Sequence, residues 1–177
     1  MDDKRDRFEA QVLPHLDAAY RFARWLGRAD ADDVVQEAFL RAFRAFDSLR
    51  GTDVKGWLLT IVRNCHATAA RQQQRAPAPL PEEDAAPHAT LSSAAPDPES
   101  ATLAHEAERT LAQLIAALPQ QHREVLLLRE MEELSYREIA QVTQQPIGTV
   151  MSRLARARAA LRSRYLQQQP GAPRAVR

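Results

Sequence analysis

Ser135-Tyr136-Arg137-Glu138-Ile139-Ala140-Gln141-Val142-Thr143-Gln144-Gln145-Pro146-Ile147-Gly148-Thr149-Val150-Met151-Ser152-Arg153-Leu154 is the most informative run in the chain. Ser135 with Glu138 three residues on has the form of a capping box, where a hydroxyl and a carboxylate satisfy amides that a helix start leaves without partners. The helix it launches is short, with Ile139, Ala140 and Val142 inward, and the four-residue break Gln144-Gln145-Pro146-Ile147 ends it. Beyond Gly148, the residues Val150, Leu154, Ala157, Leu161 and Tyr165 recur at helical spacing and predict a longer helix. Short helix, tight turn, longer helix is the helix-turn-helix pattern.

Charge gives that second helix a direction. From Ile139 to the C-terminus there are seven arginines (Arg153, Arg156, Arg158, Arg162, Arg164, Arg174 and Arg177) and no acidic residue. Thr149, Ser152, Arg156, Ala159 and Ser163 project away from the Val150/Leu154/Leu161 stripe, with Arg153 flanking them. A major groove admits one helix, and Arg reads guanine there while Ser and Thr serve several bases. A solvated arginine-rich face is the plainer alternative; the capped helix and Pro-containing turn ahead of it favour DNA reading. Arg129, two turns earlier, reads as a phosphate clamp or as a solvated arginine.

Upstream, Pro119 opens a helix whose buried side is Val125, Leu126 and Leu128, and before it Leu103, Ala107, Leu111, Leu114, Ile115 and Leu118 mark another. Between Ala76 and Glu108 the composition changes: six of the eleven prolines and seven acidic residues fall there, with no Lys or Arg. Such a stretch stays extended and solvated at least as far as Pro98. On its other side lies a first lobe. Phe8, Val12, Leu16, Tyr20 and Ala23 predict one amphipathic helix ending at Leu26-Gly27. After the acidic turn Asp30-Ala31-Asp32-Asp33, a second stripe runs through Val34, Val35, Ala38, Phe39, Ala42, Phe43 and Phe46. A third helix follows the loop from Asp47 to Thr52, with Val54, Trp57, Leu58, Ile61, Val62 and Cys65 on one side. The expected fold class is all-α: two small helical domains joined by a flexible Pro/Ala-rich linker, the second containing the helix-turn-helix. The expected boundaries are 1–75, linker 76–100, 101–168 and a disordered tail 169–177. Lobes this small bury only thin cores and lean on a partner.

The 177 residues are 45% hydrophobic, 27% charged and 6% aromatic, and 24 Lys plus Arg against 23 Asp plus Glu leave a net charge of +1. That excludes a histone-like polycation and an acidic tail, so any nucleic-acid reading rests on local charge. A single cysteine, Cys65, excludes a disulfide framework and a multi-cysteine zinc site, and reads as a small core hydrophobe or, less simply, a redox sensor. His15, His66, His88, His105 and His122 are scattered, and no phosphate loop, nucleophile elbow or paired-His motif occurs. No catalytic residue, metal or cofactor is expected, and an enzyme is the least supported class. With no membrane-length apolar run and no signal-peptide-like start, the expectation is a soluble, cytoplasmic protein.

Two surfaces of the first lobe stand out. Arg63, Asn64, Thr68 and Arg71, extended by Gln72, Gln73, Gln74 and Arg75, form a basic, amide-rich face with no carboxylate between Val54 and Glu82. It suits a nucleic-acid strand, with Trp57 either a stacking platform or, more simply, a core residue. Asp33, Gln36, Glu37, Leu40 and Arg41 share an outward face on which an exposed Leu40 among charges suggests docking. Macrodipole complementation and a Glu37–Arg41 ion pair explain the same pattern equally well.

Taken together, these residues resemble the extracytoplasmic-function (group IV) sigma factors of the sigma-70 superfamily. Asp33-Val34-Val35-Gln36-Glu37-Ala38-Phe39-Leu40-Arg41-Ala42-Phe43-Arg44 and Gly56-Trp57-Leu58-Leu59-Thr60-Ile61-Val62-Arg63-Asn64 are similar to region 2. Leu118-Pro119, Arg123-Glu124-Val125, Leu134-Ser135-Tyr136-Arg137-Glu138-Ile139-Ala140 and Ile147-Gly148-Thr149-Val150-Met151-Ser152-Arg153-Leu154 are similar to region 4. The resemblance implies that Asp33, Gln36, Glu37, Leu40 and Arg41 dock on the β′ clamp helices of bacterial RNA polymerase core. It further implies that Lys55, Trp57, Arg63, Asn64, Thr68 and Arg71 capture the non-template strand of the −10 element. Thr149, Ser152 and Arg156 would read the −35 element, with Arg129 and Arg153 near phosphates, while the β flap and an anti-sigma factor are further implied partners. Two rivals remain: a stand-alone helix-turn-helix transcriptional regulator, which would bind palindromic duplex without polymerase, and a sigma-like decoy, which would support no transcription.

Overall fold

The computed structural model describes residues 2–27, 29–75 and 108–168, all of it helices and short connections with no strand among the described residues. The 76–100 linker, the 169–177 tail, Leu103 and Ala107 lie outside the described residues.

Helix α1 (Asp2–Val12) gives way to a 3-10 turn at Leu13–His15 before α2 (Leu16–Leu26) begins. The single N-terminal helix expected from the apolar periodicity is therefore two, and Pro14 is the reason: it has no amide to donate and its ring clashes with the preceding turn. At the far end Gly27 does stop α2, with φ +69, a left-handed value, and any Cβ there would crowd the Arg123 guanidinium at 3.3 Å. Asp30 caps α3 (Ala31–Ala45), its carboxylate accepting from the amides of Asp32 and Asp33. A 3-10 turn at Phe46–Ser48 leads to α4 (Val54–Arg75). There the Asp53 carboxylate accepts from the Gly56 amide at 2.8 Å, lying where a Gly56 side chain would collide with it.

In the second lobe, α5 covers residues 108–116. Next come α6 (Gln120–Glu130), α7 (Tyr136–Thr143) and α8 (Ile147–Gln168). The capping box is complete: the Ser135 hydroxyl accepts from the Glu138 amide, and the Glu138 carboxylate accepts from the Ser135 amide at 2.6 Å. Those bonds hold the Glu138 carboxyl below its usual range. Gln144 takes the left-handed conformation that ends α7, and Pro146 supplies the carbonyl that starts α8 by accepting from Thr149 and Val150.

Both lobes contribute to one continuous core. Phe22, Leu26, Leu58, Leu59 and Val62 from the first cluster with Leu118, Val125, Leu127, Leu128, Ile139, Val150 and Leu154 from the second. Across the junction α2 packs on α6, and α4 on α7. Each thin lobe thus leans on the other, and faces that a single apolar stripe would leave in solvent are covered. Leu59 and Leu127, which the single stripes leave out, are buried in that core. Expected core positions at the margins are exposed instead: Phe43 is 39% exposed, Leu111 44% and Tyr165 51%. Tyr165 lies where α8 has run past the elements beneath it. Cys65 is buried, and burial pushes its thiol pKa up, as suits a small core hydrophobe.

Candidate nucleic-acid interface

The recognition surface of α8 is built by the residues that the helix-turn-helix leaves outside its core. Val150, Leu154 and Ala157 are buried, so Ser152, Ala155, Arg156 and Ala159 on the opposite side are exposed, with Thr149 and Arg153 half-buried at the edge. Ser152 donates to the Thr149 carbonyl at 3.0 Å, its oxygen still able to accept. Arg158, one step round the helix, pairs with Glu130 at 2.6 Å and fastens α8 to α6. Arg129 is committed locally: it donates to the Leu134 carbonyl at 2.9 Å and lies over the Tyr136 ring, bracing the turn that starts α7.

On the first lobe, Asp33, Gln36, Leu40 and Arg41 are exposed along α3 and Glu37 is half-buried beside them. Glu37 and Arg41 pair at 2.6 Å, so the ion pair and the outward Leu40 coexist. Leu40 is 48% exposed and borders an open cavity of about 390 Å³ between α1 and α3, floored by Phe8, Leu13, Phe39 and Phe43 and rimmed by Arg5, Glu9 and Gln36. Phe8 holds that floor rigid, meeting Phe39, Phe43 and Phe46 edge-on at 6.3, 5.2 and 5.3 Å between ring centres.

Helix α4 carries the remaining candidates. Asn64 and Arg71 are exposed, Thr68 is half-buried and bonds back to the Asn64 carbonyl at 2.9 Å, and Trp57 is half-buried against the core. Lys55 and Arg63 point into the junction between lobes. Lys55 pairs with Glu132 at 2.9 Å and Arg63 with Glu124 at 2.9 Å, while Arg21 shares the Glu132 carboxylate at 2.8 Å. Beside them Arg123, itself buried, donates to the carbonyls of Leu26, Ala116 and Leu118. His66 is buried too, its Nε2 donating to the Gly27 carbonyl and its Nδ1 without a hydrogen-bond partner. Burial lowers its pKa from the ordinary 6.5, against the hydrogen bond to Gly27 and the nearby Glu124, which oppose the shift, while Arg123 adds a smaller push downward. None of Glu124, Glu132, Arg123, Arg21 and His66 was given a site role from the sequence, although Arg123 and Glu124 stand in a region 4-like motif and His66 was weighed only as a metal ligand. Among the described residues, no group of His, Cys, Asp and Glu gathers to hold a metal ion, and no helix is long and apolar enough to cross a membrane.

Comparison with known proteins agrees with this layout. Residues 12–76 match the family described as Sigma-70 region 2, and residues 108–161 match Sigma-70, region 4. The chain is 37% identical over 145 residues to the ECF RNA polymerase sigma-E factor of Escherichia coli (strain K12), covering 78% of this chain and 75% of that one. It is 41% identical over 139 residues to the RNA polymerase sigma-H factor of Pseudomonas aeruginosa, covering 75% and 71%. Among solved structures it superposes on the sigma factor RpoE of Bartonella quintana, in complex with the anti-sigma factor NepR, with a TM-score of 0.73 at 26% identity over 92% of this chain and 99% of that one. CnrH in complex with the cytosolic domain of CnrY shares the fold at a TM-score of 0.66 and 24% identity, covering 93% and 91%.

Proposed function

Given that the chain belongs to the sigma-70 family, as an extracytoplasmic-function RNA polymerase sigma factor, we propose how its surfaces divide the work of promoter recognition. It binds RNA polymerase core and promoter DNA, and the stand-alone regulator reading is not favoured. Residues 1–75 form the unit that engages core and the −10 element, residues 101–168 the unit that reads the −35 element, with 76–100 joining them and 169–177 a tail. Asp33, Gln36, Glu37, Leu40 and Arg41 meet the β′ clamp helices: an apolar side chain ringed by charges is the composition of a reversible docking patch. Ser152, Arg156 and Thr149 reach base edges in the major groove while Arg153 and Arg129 lie toward the phosphates. Lys55, Trp57, Arg63, Asn64, Thr68 and Arg71 take the non-template strand, and binding energy from flipped and stacked bases offsets the cost of unpairing, so no nucleotide hydrolysis is required.

The protein acts by binding rather than catalysis, in the cytoplasm where core polymerase resides, and the β flap and an anti-sigma factor are its further partners. The observation that carries this reading is the pairing of an outward helix-turn-helix face with a separate strand-suited face on α4 in one short chain. Reconstituted transcription tests it: the protein with bacterial core polymerase on a promoter library yields RNA starts that share two spaced motifs and vanish without the protein. Core binding without initiation would favour the decoy reading instead.

A further inference from the structure

The outward side of α8 has an apolar half that the base contacts assigned to Ser152 and Arg156 leave idle. Met151 is 52% exposed and Ile147 42%, and Ala155 is exposed beside them. At about 100° per residue, positions 147, 151 and 155 form one ridge, and Ser152 with Arg156 forms a polar ridge immediately alongside. Neither ridge belongs to the buried stripe of Val150, Leu154 and Ala157. Arg158 bounds the apolar ridge at its far end, held on Glu130 at 2.6 Å.

An exposed methionine between two other apolar residues invites an apolar partner. Two features of α8 say which. The helix holds no acidic residue, and its arginines, Arg153, Arg156 and Arg162 among them, complement a polyanionic duplex. Ile147, Met151 and Ala155 also stand in its N-terminal turns, the end that meets base edges in a helix-turn-helix. Tyr165 and Leu166 are exposed on the same helix, but Tyr165 lies about 21 Å further along the axis, beyond a groove about 12 Å wide. The apolar feature of a major-groove edge is the C5-methyl group of thymine, which the other three bases lack.

We propose that Met151 and Ala155 read thymine methyl groups, so that α8 selects an A·T pair beside the base pair met by Arg156. This inference rests on the reading of the −35 element by α8. The short Ala155 side chain lets the helix approach the base edges closely, and Met151, unbranched and polarisable, adapts its length to cover a methyl group.

The methyl group itself is the probe. Holoenzyme assembled from the full chain and bacterial core polymerase selects bound duplexes from a promoter library randomised across both elements. The enriched duplex is then remade with deoxyuridine at each thymine of the −35 motif in turn, which removes one methyl group and keeps every base-pair hydrogen bond. Wild-type occupancy should fall about fourfold at one or more of these positions, the loss of one methyl group from an apolar contact. Met151→Ala should be blind to the replacement, and so should Met151→Gln, which keeps the side-chain length and makes it polar. Both variants should keep the urea midpoint, because Met151 is already 52% exposed. The proposal is overturned by a −35 motif without thymine on either strand, by wild-type occupancy indifferent to deoxyuridine, or by variants that lose as much as the wild type. Variants that bind core polymerase less well and keep the wild-type response to deoxyuridine overturn it too, and give the ridge to the polymerase. The −35 reading fails separately: no enriched motif in that window, or one indifferent to Arg156→Ala, sinks that reading and the proposal with it, whereas a motif that needs Arg156 and ignores deoxyuridine sinks the proposal alone.

Discussion

Acid should loosen this protein through one side chain. His66 is 2% exposed, its Nε2 is committed to the Gly27 carbonyl, and its Nδ1 has no hydrogen-bond partner. A second ring proton would sit on Nδ1 without an acceptor in a buried site, a desolvation cost that the Gly27 hydrogen bond and the nearby Glu124 offset only in part. The unfolded chain takes up that proton near the ordinary value of 6.5, while the folded chain holds it off to lower pH. Below 6.5 the unfolded state therefore binds more protons, and stability that is complete above that value is lost as pH falls. For a ring that stays neutral throughout, linkage sets a ceiling of about 1.4 kcal/mol lost between about pH 7.5 and about pH 5.5. Urea unfolding followed by circular dichroism reads this directly, as a midpoint lower by about 0.5 to 1 M. His66→Gln keeps an amide donor for Gly27 and removes the titration, so the acid-induced loss should shrink by that amount in the variant. Equal losses in the two proteins would refute the reasoning.

Three further outcomes follow from the same geometry. Leu40→Glu should leave the urea midpoint unchanged, because the side chain is already 48% exposed, yet weaken binding to core polymerase at least about tenfold in a competition assay, through lost apolar contact and a desolvated charge. Arg156→Ala should cost about 1 to 3 kcal/mol of discrimination at the −35 element if the guanidinium meets a base pair, measured as promoter occupancy on matched and mismatched sites; unchanged discrimination removes Arg156 from the reading face. Ser135→Ala should cost about 1 kcal/mol of stability by opening the capping box, and an unaltered urea midpoint would show that the Glu138 carboxylate alone holds the helix start.

The helix-turn-helix was legible because its signals are local. Ser135 and Glu138 are three residues apart, and the inward Ile139, Val142, Val150 and Leu154 follow one period. Pro14 was a local signal as well, overridden by an apolar periodicity that continues through it from Phe8 to Ala23. The junction was invisible for a different reason. Glu132 finds Arg21 across 111 residues and Glu124 finds Arg63 across 61, and nothing in a linear charge pattern separates a carboxylate with such a partner from one in water. Leu59 and Leu127 were passed over likewise, because a helix read as having one apolar stripe is presumed to have one neighbour. The candidate site inherits that division: the α8 face could be drawn from helical phase alone, whereas the state of Lys55 and Arg63 depends on elements distant in sequence.

On the roles proposed for the two faces, their lopsided exposure would impose an order in time. Ser152 and Arg156 look outward while Lys55 and Arg63 are engaged within the molecule. Such a chain can inspect intact duplex, which offers a groove, before it can hold a separated strand, which offers phosphates for exchange. On the strand-binding role proposed for Lys55 and Arg63, affinity for single strands would be conditional on release of their partners Glu132 and Glu124. The ion pairs between the lobes would set the order of the steps as well as their strength.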